Sequence, residues 1–245
     1  MQVLDARNIC YKEMNHTIKS VFSSGQGEIY LKNVSGQRYI GDGISGKYKL
    51  FIEGIPGNDL AAYMDGPEVV VKGNTQDAVA NTMNSGSVIV HGNAGDTTGY
   101  AMRGGEIYIK GNVGYRVGIH MKEYQSKKPV IVIGGKAGDF LGEYMAGGTI
   151  LLLGLNLQDD EEAVGSFCGT GMHGGTIYIR GSIEPYKLGK EVMPTEADQD
   201  DMELIKGYAE KFSQYFGVDY NYIMGKRFTK LFAHNKRPYG NLYAY

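Results

Sequence analysis

Three aspartates at a constant offset are the residues of this sequence with the clearest potential for chemistry. They are Asp77, Asp96 and Asp139, each six residues before a methionine. Carboxylates aligned on one face of an elongated protein could act as general acid and base on a polysaccharide, or could bind a cation. However, Asp96 and Asp139 follow glycine, which is typical of turns. In other segments the same offset holds Asn58, Tyr115 and Ser166. The interrupted column therefore favours a turn over a site.

The cysteines and histidines form no known catalytic or metal-binding motif. Cys10 and Cys168 are far apart, and no histidine belongs to an HxxxH or HExxH pattern. Cys168 and His173 are close in sequence, but a nucleophilic pair also needs a third group to orient the base. We therefore expect structural or surface roles for the five histidines, which are His16, His91, His120, His173 and His234.

The glycine-rich segments do not match nucleotide-binding or hydrolase motifs. GGKAGD at 134–139 lacks the Gly-Lys-Ser/Thr ending of a phosphate-binding loop. A dinucleotide fingerprint needs a strand followed by a helix, whereas further short apolar runs follow these glycines. The GxSxG nucleophile elbow is absent from the sequence.

Composition limits the functional class. The chain has 245 residues, of which 42% are hydrophobic, so it can bury a real core. Its net charge of -2 argues against a nucleic-acid or anionic-membrane partner. Only two cysteines, no signal-peptide pattern and only short apolar runs together predict a cytoplasmic protein. The unusual feature is 37 glycines without the three-residue period of collagen.

The glycines belong to a repeat of eight short β-branched runs. The runs start at residues 29, 50, 69, 88, 107, 130, 150 and 177, most often 19 residues apart. Four residues after each start stand Asn33, Gly54, Gly73, Gly92, Gly111, Gly134, Gly154 and Gly181. Glycine and asparagine tolerate positive φ, so this column predicts one backbone corner repeated along the chain.

A methionine column precedes the runs and predicts a core. Its members, five residues before a run, are Met64, Met83, Met102, Met145 and Met172. Met121 joins the column if segment 123–129 carries a four-residue insertion, and Ile44 is the counterpart in an earlier repeat. Methionine fills irregular space well, so the column favours a buried ladder over a cofactor-binding row.

These columns predict the fold class. A period near 19 with short strands and glycine corners indicates an all-β, right-handed, single-stranded parallel β-helix of about 7–8 coils. A left-handed hexapeptide helix would need a multiple of six residues per coil. Stacked coils about 4.8 Å apart would pair each strand with its neighbours and bury a continuous core.

The segments outside the repeat predict covers for this solenoid. Residues 1–24 are expected to form an N-terminal cap, an edge strand plus a short helix, on the β-helix domain at 25–183. Within 184–245 we expect a helix at about 196–216, with Thr195 as N-cap and Gly217 as its end. Its apolar stripe is Met202, Ile205, Ala209, Phe212 and Phe216. The basic-aromatic tail at 225–245 is expected to dock on the β-helix or on a partner.

The coils GYAMRGGEIYIKG at 99–111 and GEYMAGGTILLLG at 142–154 resemble the GXGXG domain. That domain is the C-terminal β-helix (domain 3) of the large, or alpha, subunit of glutamate synthase, and a related domain forms one of the subunits of formylmethanofuran dehydrogenase. The likeness spans about residues 25–183 and repeats in register. FTKLFAHNKRPYG at 228–240 also resembles the end of stand-alone versions of the glutamate synthase domain, which favours that enzyme.

The resemblance implies a non-catalytic scaffold subunit of a split glutamate synthase. Such a scaffold would join a glutamine amidotransferase chain to an FMN-dependent chain that reductively aminates 2-oxoglutarate. FMN and an iron–sulfur cluster are then expected on the partners, because this sequence begins Met1-Gln2 without a nucleophilic cysteine and lacks cluster cysteines. The resemblance carries no catalytic, cofactor-binding or metal-binding residue onto this chain.

Three alternatives remain open at this point. The first is the corresponding β-helical scaffold of a formylmethanofuran dehydrogenase-type complex, beside a molybdenum or tungsten chain. The second is a solenoid hydrolase or carbohydrate-binding protein that uses Asp77, Asp96 and Asp139. The third is a self-associating structural protein, since solenoid faces often pair.

Overall fold

Nine successive strands run parallel in one sheet. In the computed structural model, which describes residues 1–158 and 161–234, each of these strands pairs with the next one along the chain. They are β1 (Gln2–Asp5), β2 (Glu28–Ser35), β3 (Lys49–Ile55), β4 (Asp65–Val71), β5 (Ser85–Val90), β6 (Glu106–Ile109), β7 (Val130–Ile133), β8 (Ala146–Leu152) and β9 (Gly174–Arg180). The chain thus winds as a parallel β-solenoid, which confirms the predicted all-β β-helix.

The solenoid makes about 6 regular turns, slightly fewer than the predicted 7–8 coils. All eight predicted runs are present as β2–β9.

The strand register corrects one predicted position. Ile131, and not Val130, stands beside Ile107 in the stack of inward-facing residues. Val130 instead packs on the outer side of the sheet. The insertion before this strand is therefore one residue longer than predicted, and Gly135 rather than Gly134 occupies the corner. The repeat spacing could not distinguish the two registers, because residues 130 and 131 are both β-branched and residues 134 and 135 are both glycine.

The methionine column lies in the core, as predicted. All six methionines from Met64 to Met172 in this column are fully buried, and Ile44 is nearly so. They share one hydrophobic cluster with the inward residues of the strands. This burial confirms the interpretation of the column as a structural ladder.

The side of each coil opposite the sheet is a five-residue turn with an unusual backbone. The first, third and fifth residues of each turn have positive φ. We call these the turn segments; they are residues 39–43, 59–63, 78–82, 97–101, 116–120, 140–144 and 167–171. In segment 59–63 the N–H groups of Asp59 and Tyr63 donate to the following coil, and that of Ala61 donates to the preceding coil. The turn segments therefore stack as regularly as the strands do.

Both ends of the solenoid are covered. At the N-terminal end, α1 (Tyr11–Ser23) buries Met14, Ile18, Val21 and Phe22 against the first coils. At the other end, β11 (Phe228–Ala233) pairs antiparallel with β9, and β10 (Val192–Glu196) pairs antiparallel with β11. A short 3₁₀ helix at Pro185–Lys187 leads into β10.

The predicted C-terminal helix is present as α2 (Gln199–Phe216), followed by α3 (Tyr220–Met224). Its N-cap is Asp198 rather than Thr195, because Thr195 belongs to β10. Asp198 and Asp201 form a reciprocal capping box, and Gly217 ends the helix in the left-handed conformation, as expected.

The stripe of α2 packs on the outer face of the sheet, as predicted. Ile205, Ala209 and Phe212 are fully buried there, against side chains from the strands β5–β9. Because α2 covers one face and the core lies on the other, strands such as β7 are buried throughout. The docking predicted for the tail falls partly on residues 235–245, outside the described residues.

Candidate functional site

The aspartate column holds backbone amides. The Asp77 Oδ1 atom accepts a hydrogen bond of 2.9 Å from the Asp96 N–H, and Asp96 Oδ1 accepts one of 2.8 Å from the Tyr115 N–H. Asp139 Oδ1 accepts one of 2.7 Å from the Ser166 N–H. Each carboxylate therefore joins its own coil to the next one, and the carboxylates do not converge on a common point.

Glycine is required where these carboxylates cross to the next coil. A Cβ atom on Gly95 would stand 2.1 Å from Asp77 Oδ1, and one on Gly114 would stand 2.0 Å from Asp96 Oδ1. Gly95 and Gly114 thus act together with the aspartate column, because the missing side chain of each glycine makes room for the acceptor. This geometry supports the turn interpretation of the column.

A second polar ladder was not predicted from the sequence. Asn74 Oδ1 accepts from the Asn93 N–H and Asn93 Oδ1 accepts from the Asn112 N–H, both at 2.8 Å, and Asn112 Oδ1 accepts from the Lys136 N–H at 2.9 Å. The signal that could have revealed it is the Gly-Asn pair that follows three successive runs, at 73–74, 92–93 and 111–112. Two side-chain ladders therefore support the corners of the solenoid, one of asparagine and one of aspartate.

Variants of Asp96 test whether the aspartate column is structural. We expect Asp96→Asn to keep the free energy of unfolding of the wild type, because asparagine retains an Oδ1 acceptor. Asn58 already fills this role in the same column, accepting from the Asp77 N–H. Asp96→Ala should lose about 1–2 kcal/mol, since the Tyr115 amide loses its acceptor. Urea denaturation measures both, and an equal loss in both variants would show that the charge matters instead.

Cys168 and His173 are not brought together. The Cys168 thiol lies in the hydrophobic core, where burial raises its pKa to about 12. The His173 ring instead lies with Nδ1 3.2 Å from the Gly171 carbonyl oxygen. A protonated, enclosed thiol is a poor nucleophile, so the arrangement is that of a core residue.

Alkylation distinguishes the two cysteines. We expect iodoacetamide to modify the exposed Cys10 in the native protein and to leave Cys168 unmodified until the chain unfolds. Mass spectrometry of the labelled peptides gives both rates, and Cys10→Ser should remove the fast phase. Rapid labelling of Cys168 at neutral pH in the folded protein would contradict its enclosure.

Two other histidines lie in ladders on the outside of the solenoid. His91 Nε2 is 3.2 Å from Lys72 Nζ. Burial, Lys72 and Lys110 lower the pKa of His91, so it is neutral at pH 7. The His120 ring packs between Tyr100 and Tyr144, with centroids 5.9 Å and 5.3 Å away. Among the described residues, neither imidazole belongs to a group of three potential metal ligands.

A buried polar network fixes α2 to the solenoid. The Asp201 carboxylate accepts from the Tyr178 hydroxyl at 2.6 Å and from Lys230 Nζ at 2.8 Å. Burial alone would raise the pKa of Asp201, but these hydrogen bonds and the one to the Asp198 N–H outweigh it and lower the pKa. Every strong donor here has a protein partner, so the network is structural.

An open cleft of about 620 Å³ lies beside the last coil. Its walls include Arg180, Lys226 and Arg227 on one side and Glu161 and Glu162 on another. Lys136 and Lys187 form ion pairs with these two glutamates, and Arg180 donates to backbone carbonyls of α3. Among the described residues that line it, the cleft carries mixed charges and no paired nucleophile and base.

Two absences apply to the described parts of the chain. Within residues 1–158 and 161–234, no three His, Cys, Asp or Glu side chains are grouped as metal ligands. In the same ranges, no helix combines the length and the apolar character that crossing a membrane requires.

Comparisons with known proteins place this chain in a family and show what its fold is similar to. The sequence pattern of the GXGXG motif family matches residues 13–236. The uncharacterized protein MJ1350 of Methanocaldococcus jannaschii is 44% identical over 249 residues, which is 98% of this chain and 95% of that protein. Among the solved structures whose fold matches is the formyltransferase/hydrolase complex (FhcABCD) from Methylorubrum extorquens in complex with methylofuran. One of its chains matches with a TM-score of 0.65 and 19% identity, over 93% of this chain and 89% of that chain. At this identity the structural likeness shows the fold alone.

Proposed function

Because the chain belongs to the GXGXG motif family, we propose that it is a non-catalytic scaffold subunit of a split glutamate synthase in the cytoplasm. In this role it joins a glutamine amidotransferase chain to an FMN-dependent chain that reductively aminates 2-oxoglutarate. FMN and the iron–sulfur cluster belong to the partner chains. The product of the assembled enzyme is glutamate.

One observation carries the scaffold role. The repeated polar side chains that could have formed a site are instead bonded to the backbone of the neighbouring coil, from Asn74 to Asn112 and from Asp77 to Asp139. Each of these side chains is held by an amide of a different coil, and among the described residues the carboxylates are not paired with one another or with a nucleophile. The asparagine and aspartate columns therefore make the corners of the solenoid rigid.

Reconstitution tests the glutamate synthase assignment. The purified chain alone should show no flavin absorbance and no glutaminase activity. Mixed with the amidotransferase and FMN-dependent chains of the same organism, it should form a stable complex that produces glutamate from glutamine and 2-oxoglutarate. Flavin bound stoichiometrically to the isolated chain would count against the proposal, as would full activity of the two partners without it.

A second scaffold role has a specific observation in its favour. The matched chain of known structure comes from a formyltransferase/hydrolase complex, and the two chains share one fold over most of their lengths. In that case this chain is the β-helical scaffold of a formylmethanofuran dehydrogenase-type complex. Binding to a pterin–metal chain, and not to the FMN-dependent chain, would favour this candidate. The likeness of segment 228–240 to stand-alone glutamate synthase domains is our reason for ranking it second.

A further inference from the structure

The cleft beside the last coil has more basic side chains on its walls than nearby acidic side chains neutralise. Arg180, Lys226 and Arg227 all line it, and none of the three belongs to an ion pair among the described residues. Of the described carboxylates in the lining, Glu184 alone lacks an ion pair, so these cations outnumber the carboxylates available to them. We propose that the cleft binds a small organic anion, which it holds by a carboxylate or phosphate group.

Arg180 is the buried anchor of this site. It is 6% exposed, and its guanidinium donates from Nε to the Ile223 carbonyl and from Nη2 to the Tyr222 carbonyl, both at 2.7 Å. An arginine side chain has five N–H donors, and carbonyl acceptors supply no negative charge. Burying an ion without an opposite charge is unfavourable. An anion that enters the cleft would therefore complete the interactions of Arg180.

Two separate segments bring the cations to one wall. Arg180 is the last residue of β9, and Phe228, the first residue of β11, pairs with it. Lys226 and Arg227 directly precede β11 and therefore lie beside the end of β9, where the Arg227 carbonyl accepts from the Gly181 N–H at 2.7 Å. Strand pairing thus fixes the backbone of this wall, which does not have to form when a ligand binds.

The acidic wall of the cleft is already occupied by other donors. Glu161 is paired with Lys136, and Glu162 is paired with Lys187 and accepts from the Tyr186 hydroxyl at 2.7 Å. These contacts lower the pKa of both glutamates, so both are charged at neutral pH. The carboxylate or phosphate of a ligand would be repelled by this wall and attracted to the basic one, which orients the ligand in the cleft.

The size and the remaining lining of the cleft fit a small molecule. Its volume of about 620 Å³ lies within the range of about 300–1,000 Å³ that is usual for ligand sites. Leu157, Val164 and Ile183 contribute apolar surface, and the exposed Ser182 contributes a hydroxyl group. This combination suits an anion with an apolar body. The planar guanidinium of arginine matches carboxylate and phosphate alike, so the test uses a probe for each.

This inference goes beyond the proposed function and does not depend on it, because the test uses the full-length chain without partners. The amide signals of ¹⁵N-labelled protein are followed by NMR during titration with inorganic phosphate or with butyrate, whose carboxylate carries an apolar chain. Chloride at equal ionic strength controls for the screening of charges. We expect saturable shifts of Gly181, Ser182 and Ile183 with at least one of the two probes and not with chloride. Binding of phosphate alone would indicate a phosphorylated ligand, and binding of butyrate alone a carboxylate ligand.

Two variants test the basic wall. Lys226→Ala/Arg227→Ala should weaken binding of the probe at least tenfold, as expected when charged hydrogen-bond donors are lost. The matched control, Lys122→Ala/Lys128→Ala, removes the same charge from exposed lysines in the loop before β7 and should stay within twofold. Arg180→Lys keeps the charge but loses the planar donor pair, and it should also weaken binding at least tenfold. Circular dichroism shows whether each variant is folded, and the exposed double variant decides if Arg180→Lys is not.

Three results would overturn this inference. The first is the absence of saturable shifts with both phosphate and butyrate, and the second is that chloride reproduces the shifts. The third is equal affinity of the wild type and Lys226→Ala/Arg227→Ala, or an equal loss in that variant and its control, which would indicate diffuse attraction to surface charge. Each of them leaves the proposed function standing, since reconstitution with the partner chains tests that function separately.

Discussion

Replacing Gly86 with alanine should destabilise the solenoid by about 3 kcal/mol or more, a large part of the 5–15 kcal/mol that stabilises a typical domain. Gly86 lies in β5 with φ +101, which strains any other residue. Its added Cβ atom would stand 2.2 Å from the Pro67 carbonyl oxygen in the coil before it. This neighbour is backbone, so relief requires two paired strands to move apart.

Chemical denaturation with urea measures this loss, and the chain provides a matched control. Gly207 is exposed in the middle of α2, and a Cβ atom there would meet nothing within 4 Å. Gly207→Ala should therefore raise the free energy of unfolding by about 0.5–1 kcal/mol, from helix propensity alone. The two substitutions would then change the free energy of unfolding in opposite directions, with Gly86→Ala lowering it and Gly207→Ala raising it. A loss below about 1 kcal/mol for Gly86→Ala would show that the corner can relax.

Phe212→Ala should cost about 3–5 kcal/mol and loosen α2 from the sheet. Phe212 is fully buried and packs against Phe216 with ring centroids 4.7 Å apart. A Cβ atom on Gly134 would stand 2.6 Å from Phe212 Cζ, so the ring rests on a glycine that leaves space for it. Removing the ring opens a cavity that the surrounding strands cannot close.

Hydrogen exchange separates this effect from general unfolding. The amides of α2 should exchange faster in Phe212→Ala, while those of β1 and β2, at the far end of the sheet, should change little. Leu204→Ala, on the exposed side of the same helix, should stay within about 0.5 kcal/mol of the wild type. Uniformly faster exchange in all strands would mean that α2 and the solenoid unfold as one unit.

The repeated columns made the fold predictable, because each column constrains the same position of every coil. The methionine ladder and the apolar stripe of α2 were both predicted correctly, since regular spacing identifies a buried face. The boundary errors occurred where two neighbouring residues were equally suitable, as at Val130 and Ile131. The N-cap of α2 was missed because Thr195 was needed in β10, a pairing between strands far apart in sequence.

The turn segments show what single-sequence reasoning cannot supply. Glycines such as Gly99 and Gly118 signal positive φ, but Tyr63, Arg116 and His120 adopt it as well. These residue types intrinsically prefer negative φ, and the hydrogen bonds between stacked coils override that preference.

The reversal of direction at β11 changes the edge that the C-terminal end of the stack offers to another molecule. The first and last strands of a parallel stack present complementary rows of backbone N–H and C=O groups. The last strand of one molecule could therefore pair with the first strand of another, and the molecules could polymerise end to end. The chain instead places an antiparallel strand on β9 and then β10 as the final strand, with Pro194 in it. Proline has no N–H to offer to an incoming strand. Among the described residues the stack therefore ends on an antiparallel strand that lacks the N–H of residue 194, and not on the parallel edge that a further coil would need.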